Sequence, residues 1–288
     1  VTEPESMSRL STAGFAWGYI GSVIPFLVVI ALTYLLRTTG YETSLPPLAA
    51  RISFLIVVVW WLLLSIPLLM NVHQIHSCPP VPNPVRAGFL RIIATLRRVR
   101  EHRNAFLFLV AYFMIIDGVN TVITMSVAYG VDIGLDATTM ILAILTIQII
   151  AFPCSLIWGR LSDRFPLKPL LQTGIGIYCV ITLIGFFLPS FESLQSRTAM
   201  FWLLSVLVAS TMGGIQGLCR SFFGKLIPVH RSAEFFGFYN ISGKLATITG
   251  PFLFGITGQL TGQSRYGVLA IFILLLVGSL VLTKVRES

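Results

Sequence analysis

Eight apolar segments, each close to the length of a membrane-spanning helix, dominate this 288-residue sequence. A helix needs about 20 apolar residues to cross roughly 30 Å of hydrocarbon at about 1.5 Å per residue. The segments are continuously apolar, without the alternation of barrel strands. They lie at about 15–36, 52–70, 105–127, 138–158, 169–189, 199–219, 235–258 and 266–283. The sequence therefore predicts an all-α membrane protein with about eight transmembrane helices.

Composition and motifs exclude several other classes of protein. Only 11% of the residues are charged, whereas soluble domains carry about 25%. The net charge of +9 lies between the apolar segments, without stacking aromatic residues beside it, so we expect no nucleic-acid partner. No CxxC pair and no hydrolase, kinase, P-loop or zinc motif is present. We expect a protein that is not an enzyme and holds neither a metal nor another cofactor.

The distribution of Lys and Arg predicts the orientation of the segments. Fifteen of the 20 Lys and Arg residues lie near the termini or in the loops 71–104, 159–168 and 220–234, and four lie in the opposite loops. Cytoplasmic loops of membrane proteins carry such an excess of positive charge. We therefore expect both termini of this chain to face the cytosol.

The longest of these loops, 71–104, divides the chain. Its basic part, 84–103, has apolar residues at helical spacing, which fits a linker, an amphipathic helix on the cytosolic lipid surface, or both. Two histidines and a cysteine at 73–78 resemble a metal cluster, but the surrounding prolines favour an irregular loop. We predict the last two helices of an N-terminal bundle in 1–70, a cytosolic linker in 71–104 and a C-terminal six-helix bundle in 105–288.

Asp117, inside the third apolar segment, is the first candidate functional residue. Carboxylates inside a bilayer are costly and usually face a polar pathway or a partner. Asn120, Thr121 and Thr124 follow at i+3, i+4 and i+7, which places a polar stripe on one helix face. The stripe fits either a wetted solute cavity or a packing network between helices.

Lys244 lies inside the seventh apolar segment, too deep to extend easily to the interface. Together with Asp117 it can form a pair that binds a zwitterionic solute, works in a proton-linked switch, or is only a structural ion pair. For a functional pair, we expect Asp117→Asn and Lys244→Met each to abolish transport without loss of expression. Asp117 is the better candidate for carrying a proton.

The sixth segment ends in a cluster of small and polar residues, Gly213, Gly214, Gln216 and Arg220. Adjacent glycines permit close helix packing, which is by itself a sufficient explanation for them. Gln216 can form a hydrogen bond to a solute or to a neighbouring helix. Arg220 is expected near the cytosolic mouth.

The loop between the fourth and fifth segments, from Gly159 to Lys168, has the sequence GRLSDRFPLK. Its Asp163 and Arg164 can make charge-assisted bonds between helix ends or interact with a helix terminus. Such contacts can form in one conformation and break in another, so the loop is a candidate cytosolic gate. The alternative is a basic loop with an incidental acid.

This loop resembles the GxxxDRxGRK motif of the major facilitator superfamily, although positions 166 and 167 are Pro and Leu. Residues 213–255 resemble the autophagy-related vacuolar amino-acid effluxers and their bacterial relatives, in GGIQGLCRS, IPVHRSAEFFGFY and SGK…GP. FMIIDGVNT and the opening STAGFAWGYIG are similar to the same family. In that family the opening motif belongs to the fifth of twelve helices.

The resemblance implies a partial major facilitator fold, helices five to twelve, in a chain without the first four helices. It implies a multi-pass transporter of the vacuole membrane, surrounded by lipid, that exports amino acids to the cytosol in autophagic recycling. Separately, the position of Asp117 inside a span makes protons a candidate coupling ion. The expected pathway residues are Asp117, Asn120, Thr121, Gln216 and Lys244. A transporter of sugars or drugs and a non-transporting scaffold or sensor remain alternatives.

Overall fold

The computed structural model describes residues 6–37, 47–72, 83, 86–88, 90 and 102–286. These residues form eight long helices and two short 3-10 turns, without strands. The long helices are α1 (Met7–Arg37), α2 (Pro47–Asn71), α3 (Arg103–Asp132), α4 (Ala137–Leu161), α5 (Leu167–Phe187), α6 (Leu194–Leu226), α7 (Ser232–Thr261) and α8 (Arg265–Thr283). Most of the predicted basic helix at 84–103, and the histidines and cysteine at 73–78, lie outside the described residues.

Each predicted apolar segment corresponds to one helix, with differences at the ends. Seven of the eight described helices are long and apolar enough to cross a membrane. The eighth, α7, has 30 residues, but polar residues such as Asn240, Lys244 and Thr247 interrupt its apolar sequence. The prediction of an all-α membrane fold is confirmed.

Helices α3 to α8 pack into one bundle. The closest helix pairs are α3 with α7 and α8, α4 with α6, and α5 with α6 and α8. Small residues allow these approaches: Gly118 of α3 lies against Leu275 of α8, and Gly174 of α5 lies against Ile215 of α6. In a bilayer such close contact replaces the hydrophobic drive that assembles helices in water.

Helix α1 packs mainly on α4 and α6, and more weakly on α2. Trp60 of α2 donates its indole N–H to the carbonyl of Gly21 at 3.1 Å. Thus α1 contacts α4 and α6, which follow the linker 71–104, more than it contacts α2, which precedes the linker. The division of the chain at 71–104 into two bundles stays a prediction.

The start of α1 meets the α4–α5 loop and the end of α6 at one end of the bundle, here called the basic end. Ser8 donates to the hydroxyl of Ser221 at 3.0 Å, and Arg9 forms an ion pair with Asp163 at 3.6 Å. Lys168 of α5 donates to two carbonyls at the end of α8. Segments predicted to share the cytosolic side therefore share one end, while the side of the membrane stays a prediction.

Towards the opposite end, α1 separates from the bundle. Thr12 and Ala16, near its start, are fully buried, whereas Leu27 and Tyr34 are exposed among the described residues. The described contacts between α1 and the six-helix bundle therefore lie in the part of α1 nearer the basic end.

Candidate functional site

Small residues close the interface at the basic end. Thr12 of α1 lies against Gly159 of α4 and Gly217 of α6. A Cβ atom on Gly217 would lie 2.8 Å from the Cα atom of Thr12, well inside the contact distance of about 3.5–4.0 Å between carbon atoms. Glycine is thus required for α1 and α6 to approach this closely.

The two adjacent glycines of α6 extend the same interface. Gly213 lies against Ser155 of α4 and Tyr19 of α1, and Gly214 lies against the ring of Trp158. Packing, the explanation that the sequence left open, accounts for both of them. The two sequence stretches that carried the family resemblance, one in α1 and one in α6, therefore contact each other directly.

Tyr19 and Gln216 mark the inner limit of this interface. The hydroxyl of Tyr19 donates to Oε1 of Gln216 at 3.4 Å, a long hydrogen bond by the usual criteria. Both side chains also line a partly open cavity of about 330 Å³, whose other lining residues come mostly from α3 to α8. The polar contact thus separates the cavity from the closed interface.

The cavity is mostly apolar, and the lining residues in the described part of the chain include no charged side chain. Its polar lining residues are Tyr19, Thr121, Ser126, Tyr129, Gln148, Thr182, Ser205 and Gln216. A large apolar surface with a few polar groups is the usual composition of a site for a small molecule.

Two buried polar atoms near the cavity have no hydrogen-bond partner among the described residues, Oε1 of Gln148 and the hydroxyl of Tyr178. An unsatisfied buried polar group costs about 1–3 kcal/mol, and Gln148, which lines the cavity, can recover this cost by a hydrogen bond to a ligand. The analysis of the sequence missed both residues. Gln148 was detectable as the single amide side chain in the apolar stretch ILTIQIIAF.

Asp117 is fully buried, as predicted for a residue inside a span. Its Oδ1 atom accepts the backbone N–H of Gly250 in α7 at 2.7 Å. Thr121 donates its hydroxyl to the carbonyl of Asp117 at 2.7 Å. Of the predicted pathway residues, Thr121 and Gln216 line the cavity, and Asp117 lies immediately behind Thr121.

The structure does not form the predicted ion pair between Asp117 and Lys244. Lys244 is exposed on α7, while the carboxylate of Asp117 faces the backbone of Gly250. The pair that the sequence left open is absent here because depth along a helix does not determine the face on which a side chain lies. The predicted polar stripe is also divided: Thr121 is buried, Asn120 is half-buried and Thr124 is exposed.

The predicted gate loop makes contacts of both expected kinds, but with different partners. Asp163 pairs with Arg9 of α1, with side chains 38% and 62% exposed, and Arg164 is exposed. Lys168 donates to carbonyl oxygens of Thr283 and Val285 at 2.7 and 2.8 Å. A cation at the C-terminal end of α8 is favoured by the helix dipole.

Arg220 lies at the basic end, where it is exposed. It lines an open pocket of about 420 Å³ together with residues of α1 such as Ser11 and Phe15. That this end is the cytosolic mouth, as predicted for Arg220, stays a prediction. Its role in solute movement stays a prediction.

Comparison with known proteins identifies the family to which this chain is similar. Residues 2–288 match the family model described as vacuole effluxer Atg22 like. An uncharacterized MFS-type transporter of Bacillus subtilis, YxiO, is 42% identical over the whole chain, which spans 65% of that relative. Autophagy-related protein 22 of Coccidioides immitis is 28% identical over 98% of the chain. The corresponding protein of Yarrowia lipolytica is 27% identical over 93% of the chain.

The chain spans about half the length of these fungal relatives, 49% in each case. Family membership rests on the match along almost the entire chain, together with eight helices that pack as a membrane bundle. The chain therefore belongs to the Atg22-like vacuole effluxer family of multi-pass membrane transporters.

Proposed function

We propose that this chain forms part of a secondary transporter that exports amino acids to the cytosol. The observation that carries the proposal is the 330 Å³ cavity, closed towards the basic end by α1. Its volume lies within the range of about 300–1,000 Å³ typical of small-molecule sites. A single amino acid fits such a space.

The lining of the cavity supports a particular kind of amino acid. Because no charged side chain lines it in the described part of the chain, a charged solute side chain would lose its hydration without a compensating ion pair. The polar groups of Gln148 and Gln216 can form hydrogen bonds to the solute. We therefore propose amino acids with uncharged, largely apolar side chains as the cargo.

Closure at one end supports transport by alternating access. In this state the basic end is sealed by the contacts of α1 with α4 and α6, and α1 separates from the bundle at the other end. Rocking about the cavity would open the basic end and release the solute there. The basic loops favour the cytosol as the side of release. A transporter acting in this way needs no enzymatic step.

Two membranes are candidates for the location. The names of the fungal relatives, at 27–28% identity, support the vacuole membrane and a role in autophagy. The bacterial relative, at 42% identity, supports a cell membrane instead. Localisation of a fluorescent fusion in the source organism separates the two and leaves the proposed cargo unaffected.

Solute exchange in proteoliposomes tests the function. The full-length protein is reconstituted, the vesicles are loaded with unlabelled leucine, and entry of external radiolabelled leucine is measured. We expect competition by apolar amino acids and none by glutamate, lysine or glucose. Absence of exchange in vesicles that contain folded protein refutes the proposal. Competition by a sugar or a drug but not by amino acids would mean that the cargo is a sugar or a drug instead.

A substitution in the cavity and a matched control substitution provide a second test of the proposed function. Gln216→Leu removes one neutral hydrogen bond, worth about 0.5–1.5 kcal/mol, which corresponds to about a two- to tenfold higher half-saturation concentration. Gln195→Leu makes the same change at an exposed position of the same helix and should leave the half-saturation concentration unchanged. Equal effects of the two variants would contradict the assignment of the cavity.

A further inference from the structure

The carboxyl group of Asp117 has two oxygen atoms with different surroundings. Oδ1 accepts the N–H of Gly250 at 2.7 Å. Oδ2 is buried and has no hydrogen-bond partner in the described part of the chain. The side chain as a whole is fully buried, so one of its oxygens retains a free acceptor site away from bulk water.

No cation compensates this carboxylate among the described residues. The charged residues of α3 and of the helices packed most closely on it lie near helix ends or on exposed faces: Arg103, Asp132, Arg197, Arg220, Lys225, Glu234, Lys244, Arg265 and Lys284. The nearby tyrosines are engaged elsewhere, since Tyr112 and Tyr239 stack on each other with ring centroids 4.0 Å apart and Tyr129 donates to the carbonyl of Gly185. A buried carboxyl without a counter-charge favours its neutral, protonated form.

The partner of Asp117 lies next to Pro251, inside the continuous helix α7. A proline such as Pro251 has no N–H to donate and crowds the carbonyl one turn earlier, so it weakens the hydrogen-bond ladder of a helix at its position. Gly250, just before it, turns its N–H towards Asp117. A Cβ atom on Gly250 would collide with Thr121 and with the carboxylate, so only glycine permits this contact.

The contact between Asp117 and Gly250 lies directly behind the wall of the cavity. Thr121, one turn after Asp117, lines the cavity and donates to the carbonyl of Asp117. Phe254, one turn after Gly250, lines it from α7. A change at the carboxyl group therefore acts on two elements of the wall that would surround a solute.

We propose that Asp117 is the proton-binding site of the transporter, with one proton carried on Oδ2 for each solute moved. The proposal rests on the proposed transport function and supplies its coupling ion. The charged carboxylate accepts the Gly250 N–H more strongly than the neutral acid does, by roughly a factor of two. Proton uptake from the cavity side loosens α7 at Pro251, and release of the proton at the basic end restores the contact.

Two measurements on the same proteoliposomes test the proposal. Leucine exchange without any gradient reports transport. When a leucine gradient is applied, a pH-sensitive dye inside the vesicles reports protons that move with leucine. Wild-type protein should show both signals. Asp117→Asn keeps an oxygen that can accept the Gly250 N–H but cannot change its charge, so the number of protons moved per leucine exchanged should decrease at least tenfold. Asp132→Asn, at the exposed end of the same helix, should retain both signals.

Each outcome separates the proton site from the transport function. Exchange without proton flux in the wild-type protein overturns the proton site and leaves the transport function intact. Retained proton flux in Asp117→Asn overturns the assignment to this residue. Loss of exchange in a folded Asp117→Asn protein means that the carboxylate holds the solute ammonium or the helix packing, and overturns the proposal as well. Failure of exchange in the wild-type protein refutes the transport function itself.

Discussion

Gly217 sets how closely α1 approaches α6 at the basic end, and replacing it should open this end. In Gly217→Ala the new Cβ atom would lie 2.8 Å from the Cα atom and 3.0 Å from the backbone nitrogen of Thr12. Normal contact is about 3.5–4.0 Å, so α1 has to retreat by about 1 Å. Backbone atoms cannot rotate away as the end of a flexible side chain can, so the helix itself must move.

The cost of this movement gives the size of the effect. Overpacking a well-packed site costs about 1–3 kcal/mol. If that cost falls on the closed state alone, the ratio of closed to open molecules decreases by about 5- to 150-fold. The variant should therefore bind solute from the basic end more readily than the wild-type protein.

A disulfide cross-link measures the closed population. The hydroxyl oxygens of Ser8 and Ser221 are 3.0 Å apart, so the paired changes Ser8→Cys and Ser221→Cys should cross-link in the closed state under mild oxidation. In a background without the native cysteines, Gly217→Ala should slow this reaction by about 5-fold or more, in proportion to the lost closed state.

Gly14→Ala is the matched control, because a Cβ atom at this position of α1 has nothing within 4 Å. It makes the same glycine-to-alanine change in a helix without the collision. If the rates of the two variants agree within about twofold, the close approach at Gly217 does not control the closure of the basic end.

Two further predictions concern helix ends. Lys168→Met removes two charge-assisted bonds to the last carbonyls of α8, and we expect a loss of about 1–3 kcal/mol of stability, seen as a lower Tm in detergent; an unchanged Tm would contradict a stabilising role. At the start of α4, hydrogen bonds from Thr139 lower the pKa of Asp136. Its contribution to stability is therefore present above about pH 4 and lost as the pH falls through the lowered value. Amide exchange of the first turn of α4, corrected for intrinsic rates, should increase at low pH in the wild-type protein and show no such step in Asp136→Asn.

Much of the fold was predictable because hydropathy acts locally. Each apolar segment is long enough to satisfy its own backbone as a helix in lipid, so no distant contact is needed to define it. The seventh segment shows the limit of this reasoning. The polar residues of α7 lower its hydropathy, and its packing against α3 and α8 supports the predicted place of this segment in the bundle.

The site was predictable only in part, since its geometry depends on helix rotation and on contacts distant in sequence. Asp117 was identified from its cost in a bilayer, but its partner is a backbone N–H, which no side-chain pattern reveals. Lys244 met the same criterion of depth and yet lies on an exposed face. Tyr19 and Gln216 are 197 residues apart, so their contact at the limit of the cavity could not be inferred from spacing.

The packing of α1 also has a consequence for biosynthesis. Ser8 and Ser221 are separated by 213 residues, and ribosomes add about 5–20 residues per second. The polar face of α1 around Ser8 and Thr12 therefore exists for about 10–40 s before α6 has been made. During this interval α1 depends on the insertion machinery or on α2 for shelter. Faster or slower synthesis of the segment between α2 and α6, with its sequence unchanged, should thus change the yield of correctly assembled protein without altering any contact in the finished bundle.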